Sequence, residues 1–518
     1  MTEPLVDVRG GTLRGSADGA INVFKGIPYG APTGGAHRFL PPVPAPAWSG
    51  VRDATGFGPS CAQPGSAVPP GPAREKVEQF MATFGFLSEE PVTSEGCLVL
   101  NVWTPAPQRD GRVVDDGARR PVMVRIHGGG FTMGSGSWPS HDGGTLATRG
   151  DVVVVTLNHR LGVLGYLDLS SQFGHGYAAS GNAGMLDLVL ALEWVRDNIT
   201  TFGGDPGNVT IFGESGGGHK VSTLLAMPAA RGLFHRAIIQ SGPGLQARAP
   251  ESAAEVSGMV LDELGAPDPA RLHEMPVEQL LAAQTAIGAR LGTMGAMAGF
   301  GPVRDGAVIP EDPGDALAGG TAADVPVIVG STRHEATMFL AATGTNASST
   351  MDDDTLRTQV ETWAGERVDD VVAVYRREHP DASNLDIAVL VQSASMMGRG
   401  SVALAERKIA GSATPVWLYL LAWESPALDG FVKASHGMCV PLTMDNAGVV
   451  PMTDYPAAHT LAARMSAAWI AFARDGDPNH SELPKWEPYS LDERATMIFD
   501  DPPRVEHDPN RAERLVWA

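Results

Sequence analysis

Val209-Thr210-Ile211-Phe212-Gly213-Glu214-Ser215-Gly216-Gly217-Gly218, continued by a helix-compatible stretch from His219 to Met227, decides how the rest of the chain is read. An apolar run enters a glycine-flanked serine and a helix-forming run leaves it. This is the layout of a nucleophile elbow, a sharp strand-to-helix turn that strains the serine backbone and projects its hydroxyl. The flanking residues must be glycine because a Cβ there would collide with neighbouring chain. With 62 glycines in the chain, chance alone supplies roughly 0.4 such short patterns. A glycine-rich turn without chemistry is therefore the competing reading, and the surroundings have to decide.

Working outward, near-continuous β-branched runs at Val122-Met123-Val124-Arg125-Ile126 and Val152-Val153-Val154-Val155-Thr156-Leu157 predict strands covered on both faces. Further strands are expected at 237–240, 325–329 and 416–420. Asn182 to Ile199 reads as an amphipathic helix ended by Gly203-Gly204-Asp205-Pro206-Gly207. Strands alternating with helices imply a mostly parallel α/β sheet. The first 60 or so residues alternate short β-like segments with turns, and a polar, proline-rich excursion lies between Cys61 and Cys97. Residues 245–320 and 340–412 are helix-rich and read as insertions over the sheet's carboxyl edge, where α/β folds place their sites. Ala457 to Arg474 is expected to be the last long helix, stopped by Asp475-Gly476-Asp477-Pro478.

Composition narrows the class. The chain has 518 residues, and its 38 basic against 59 acidic residues give a formal charge of −21. No basic field exists to neutralise phosphates, which argues against nucleic acid. The balance favours neutral or cationic small molecules over polyanions, although surplus acid also simply keeps a surface soluble. The start lacks a charged segment followed by an apolar one, and no run reaches the roughly 18 apolar residues of a membrane span. A soluble, cytoplasmic protein, monomeric or a small homo-oligomer, is the expectation, with the Asn-x-Ser/Thr sequons accidental. Three cysteines are too few for a zinc cluster, and no His-Glu-x-x-His pattern occurs, so no metal and no cofactor are expected.

Acyl transfer by serine also requires an oxyanion hole, a base and a group that orients the base. His127-Gly128-Gly129-Gly130-Phe131 follows the strand at 122–126 and is a candidate for the first, because glycines let backbone N–H groups approach a substrate oxygen.

With these motifs in place, the chain resembles the type-B carboxylesterases, α/β-hydrolases that include bacterial nitrobenzyl esterases and animal cholinesterases. Phe24-Lys25-Gly26-Ile27-Pro28-Tyr29-Gly30, Ser94-Glu95-Gly96-Cys97-Leu98-Val99-Leu100-Asn101-Val102-Trp103, Asn158-His159-Arg160-Leu161-Gly162, Gly181 to Asp187, and Trp469 to Asn479 carry the likeness over nearly the whole length. Gly96 departs from the acid usual before the family's cysteine. The resemblance implies one α/β-hydrolase catalytic domain over 1–518 and a triad in the order Ser, acid, His. It assigns Ser215 as nucleophile, Glu335 in Gly330-Ser331-Thr332-Arg333-His334-Glu335 as acid, and His436 in Ala434-Ser435-His436-Gly437 as base. Ala336 after the acid, and Met438 and Cys439 after the base, depart from the family pattern. Asp305 competes for the acid's role but resembles a structural turn, and His219 and His334 are the next candidates, either lining the pocket or supporting the groups that do.

The N–H groups of Gly129, Gly130 and Gly216 would then bind the oxyanion. The resemblance also makes Cys61 and Cys97 a possible disulfide, left open because no secretion signal is visible; Cys439 is expected to be a packing residue. Methionine-rich stretches at 292–300 and 395–397 suit a permissive apolar pocket, or ordinary core packing. The implied reaction is hydrolysis of small to medium, neutral, hydrophobic esters. Hydrolysis of an activated amide or carbamate is the runner-up, and a non-catalytic adhesion or scaffold homologue the alternative from another class.

Overall fold

The computed structural model describes residues 3–65, 74–85 and 92–517, with backbone only at 77 and 293–298. An 11-stranded sheet organises these residues. In chain order its strands are β1 Ser16–Asp18, β2 Ile21–Pro28, β3 Val99–Thr104, β4 Arg120–Ile126, β5 Val153–Leu157, β6 Gly204–Glu214, β7 Arg236–Gln240, β8 Val327–Thr332, β9 Val416–Leu421, β10 Ala495–Phe499 and β11 Arg504–His507. Their spatial order is β11-β10-β9-β8-β7-β6-β4-β5-β3-β2-β1. The central seven, from β10 to β5, run parallel, and the pairs at both edges are antiparallel. Every residue of β4, β5 and β8 is buried, as the β-branched runs predict for strands covered on both faces.

Strand order positions the chemistry. The turns leaving the carboxyl ends of β4 and β6 are neighbours, and β8 and β9 pair directly two places further along. The glycine segment after β4, the serine after β6, the acid after β8 and the histidine after β9 thus share one edge of the sheet.

The helices follow the reading with two corrections. Helix α1, Ala183–Asn198, and α2, Gly216–Ala226, fall where expected. The region at 245–320 holds Pro250–Glu263, Pro269–Glu274, α3 Val277–Ala298 and Pro313–Ala318. Glu335 leads into α4, Ala336–Ala342, and the second helix-rich region starts later than expected, at Asp353–Ala364. Its helical run Asn384–Ala410 is apolar because it packs on β8, β9 and neighbouring helices. The helix α5, Pro456–Asp475, is the last long one, as expected, and ends on a left-handed Gly476; β10, β11 and a short helix, Arg511–Val516, follow it. The excursion after Cys61 contains a helix, Arg74–Thr83, that its polar composition had hidden.

Two quoted motifs turn out to be scaffold. Arg160 and Asp187 form a fully buried ion pair at 2.6 Å, with Asp187 also accepting the Arg160 N–H. Asn158 accepts from Gly136 N and donates to the Pro59 carbonyl. Removing one partner of a buried pair strands the other charge. Asp187→Ala is therefore expected to destabilise the protein by about 3–5 kcal/mol, read as a lowered thermal midpoint. An unchanged midpoint would show that the pair contributes nothing.

Candidate active site

Ser215 sits between β6 and α2 at φ 57°, ψ −125°, a region that a non-glycine residue enters only under constraint. The constraints are close contacts. A Cβ on Gly213 would lie 2.4 Å from the Gly217 backbone, and the Ser215 N–H is tied to the Gln240 carbonyl at the end of β7, at 2.9 Å.

The glycine segment after β4 folds against this turn. Gly129 and Gly130 have φ of 81° and 61°. A Cβ on Gly216 would stand 2.1 Å from the Gly130 carbonyl oxygen, so the first residue of α2 and the glycine segment meet directly. Among the described residues neither the Gly129 nor the Gly130 N–H has an acceptor, and the Gly216 N–H opens a helix, where no intrahelical partner exists. These donors are available to an anion.

Glu335 and His436, 101 positions apart in sequence, meet with Glu335 Oε2 2.5 Å from His436 Nδ1, both side chains buried. Glu335 Oε1 accepts the Thr332 N–H at 2.7 Å, which fixes the carboxylate plane. The two loops are stitched together. His334 and Ser435 form a parallel bridge, and the Thr337 hydroxyl contacts the Val432 carbonyl at 2.8 Å and Ser435 Oγ at 2.9 Å. Among the described residues the Ser215 hydroxyl makes no hydrogen bond. Ser215 and His436 instead face one cavity of about 880 Å³. Catalytic hydrogen bonds are often open without substrate and close in its complex.

The second nitrogen of His436, Nε2, is 3.3 Å from Glu214 Oε1, without hydrogen-bond geometry. Burial works against a charged imidazole here, but the carboxylates of Glu214 and Glu335 outweigh it and raise His436 to about 9. Glu214 is itself pushed up by burial, opposed by His436, Arg125 and the Gly437 N–H. Glu214 was quoted in the motif without a role, and its adjacency to Ser215 was the available signal.

The other candidates separate cleanly. The Asp305 carboxylate is spent on the N–H groups of Ala307 and Ile309 and on Asn182, as a structural turn requires. His219 stands edge-on to Phe131, and His334 tethers the acid's loop; neither lines the cavity. Cys439 is core. The disulfide that the sequence left open is not formed here. Pairing of Ser60–Cys61 with Thr93–Ser94 brings Cys61 and Cys97 together as buried free thiols, and the contact with Cys61, together with burial, pushes the Cys97 thiol well above its ordinary range.

The cavity wall is mostly apolar: Phe80, Met81 and Phe84 from the helix at 74–83 and its end, Met133 and Trp138 beyond the glycines, Met338 and Phe339 from α4, and Val450 and Met452. Helix α3 adds Gln284, Thr285, Gly288, Ala289 and Gly292. The side chains at 293–298 lie outside the described ones, and Met396 and Met397 do not line the cavity. A separate cavity of about 460 Å³ lies behind β8 and β9 and contains none of the candidate side chains.

A strained serine at a strand-to-helix turn, on a mostly parallel sheet flanked by helices, defines an α/β-hydrolase. Residues 2–517 match the Carboxylesterase family. The chain is 36% identical to para-nitrobenzyl esterase of Bacillus subtilis (strain 168), over 99% of this chain and 98% of that protein. It is 33% identical to phenmedipham hydrolase of Pseudarthrobacter oxydans, over 97% and 96%. Among solved structures, carboxylesterase EST55 of Geobacillus stearothermophilus superposes with a TM-score of 0.84 at 36% identity, covering 99% of this chain and all of that one. The chain belongs to the carboxylesterase family and is a carboxylic-ester hydrolase acting on small-molecule esters.

Proposed function

We propose that Ser215 is the nucleophile, His436 the general base and Glu335 its orienting acid, with Gly129, Gly130 and Gly216 N–H groups as the oxyanion hole. One observation carries this reading: the strained Ser215, the His436 held 2.5 Å from Glu335, and Gly129 with its unengaged N–H line one cavity. His436 Nε2 takes the Ser215 proton as Oγ attacks the ester carbonyl. Glu335 holds Nδ1 protonated, so Nε2 is the free base. Each oxyanion donor contributes about 3 kcal/mol where negative charge develops. The imidazolium then protonates the departing alcohol, and water repeats the cycle on the acyl-enzyme. A fluorophosphonate probe tests the assignment: it should label the wild type and not Ser215→Ala, and equal labelling of both would sink it.

We assign small to medium, neutral, hydrophobic esters as substrates. Phenylalanine and methionine dominate the wall, and among its described side chains Glu214 is the single carboxylate and no lysine or arginine occurs. Nitrophenyl esters of increasing acyl length should show kcat/KM rising by up to about tenfold per methylene that fits, then falling. A matched anilide and a carbamate in the same series test the runner-up chemistry, and a flat ester series would contradict the apolar pocket.

The pH dependence has a definite sign. Neutral imidazole is the base, and His436 titrates at about 9 instead of 6.5. Activity should therefore climb on raising the pH through neutrality, and Glu214→Gln should move the limb to lower pH. A rate independent of pH from about 5 to 9 would be incompatible with His436 as base.

A further inference from the structure

Lys220 lies on α2, five residues beyond Ser215, and its side chain is fully buried. Lysine is almost never fully buried unless paired with an acid. Among the described residues Lys220 has no carboxylate partner. Its Nζ donates to the Gly130 carbonyl at 2.7 Å and to the His127 carbonyl at 3.2 Å, and it stands 5.0 Å from the centre of the Phe131 ring. Every contact is thus to the glycine segment that carries the proposed oxyanion donors. The Gly130 peptide is gripped from two sides, because its carbonyl oxygen also abuts Gly216.

The surroundings give this cation nothing to neutralise it. His127 and His159 stack at 4.7 Å and His219 flanks Phe131. Burial, reinforced by the lysine itself, keeps all three imidazoles well below their ordinary range, so they remain neutral. Burial also lowers Lys220 to about 7. A buried charge without a counter-charge destabilises the resting protein. The same charge becomes favourable when an anion forms beside it, and a group better satisfied in the transition state than in the ground state accelerates the chemical step.

We propose that Lys220 is a positioning residue for ester hydrolysis, clamping the His127–Gly130 segment through its carbonyls and placing a positive charge behind the oxyanion. This rests on the reading of Ser215 and the glycine donors above. As the Ser215 Oγ–carbon bond forms, the carbonyl π pair moves onto oxygen and the hydroxyl proton passes to His436. The new alkoxide is the counter-charge that Lys220 lacks at rest.

Lys220→Met removes both clamp and charge, whereas Lys220→Gln keeps amide donors and removes only the charge. Each is measured for kcat and KM on a nitrophenyl ester, thermal midpoint, and inhibition by an aryl trifluoromethyl ketone and its methyl ketone counterpart. The trifluoromethyl ketone captures Ser215 as a tetrahedral alkoxide, while the methyl ketone serves as the non-covalent control. Both variants should lose about tenfold to hundredfold in kcat with KM nearly unchanged. They should lose the same factor in trifluoromethyl ketone affinity, keep methyl ketone affinity, and melt no lower than wild type.

Wild-type kcat and ketone affinity in Lys220→Gln would overturn the role of charge. Parallel loss of both ketones and of the thermal midpoint in Lys220→Met, restored in Lys220→Gln, would reduce Lys220 to a structural tether. A trifluoromethyl ketone that inhibits Ser215→Ala as well as wild type would instead remove the Ser215 reading, and this proposal with it. The Lys220 outcomes leave Ser215 in place.

Discussion

Ser215→Ala is expected to lower kcat on a nitrophenyl ester by about four to six orders of magnitude while leaving the fold intact. The size follows from the chemistry. Alanine fits the strained φ of 57° no worse than serine, and the Gln240 carbonyl still receives the backbone N–H. Only the attacking oxygen is lost, and acyl-enzyme formation with it. The residual rate should be that of water attacking an ester whose carbonyl oxygen is held by the glycine donors, so it should fall further when Gly129 is replaced. A loss below about a hundredfold, with thermal midpoint unchanged, would mean that another group attacks the ester.

The second large effect is expected at Glu335→Gln, about 10⁴-fold in kcat, the scale of a base held in the wrong tautomer. The geometry fixes the direction. Thr332 N–H needs an acceptor where Oε1 now sits, so an introduced amide would place its oxygen there and its NH₂ toward His436. That NH₂ would need the Nδ1 lone pair, leaving the proton on Nε2, the atom meant to receive one. The pH limb should also drop, because one of the two carboxylates raising His436 is gone. Near wild-type activity would show that Glu335 is only structural and that Glu214 supports the base. Comparison with Glu214→Gln, which leaves the Nδ1 contact untouched, separates the two roles.

Much of the fold and of this site was legible in the chain. β-branched runs marked strands buried on both faces because only that environment tolerates so little polarity, and glycines around Ser215 marked a turn no side chain could enter. Glu335 and His436 carry no such local mark. A lone acid at a helix start and one histidine among 14 became candidates through resemblance alone, since their pairing is a product of β8 lying beside β9. Lys220 was invisible for the same reason: nothing in a helical sequence says that a lysine points inward with no acid to meet it. The helix at 74–83 was hidden by polar composition, although Phe80, Met81 and Phe84 fall at helical spacing. The cysteine pair shows the converse, where resemblance placed Cys61 beside Cys97 but could not say whether they are bonded.

Phe339, on the turn of α4 that begins at Glu335, lies with its ring 5.2 Å from the His436 imidazole. The helix at 74–83 packs on α4, whereas the α3 wall comes from a separate segment that carries none of the reacting groups. The α4 wall has no such independence. Reshaping it for a bulkier acyl or alcohol group would alter turnover and selectivity together, so a library that varies the α3 wall should broaden the range of esters accepted while sparing the rate.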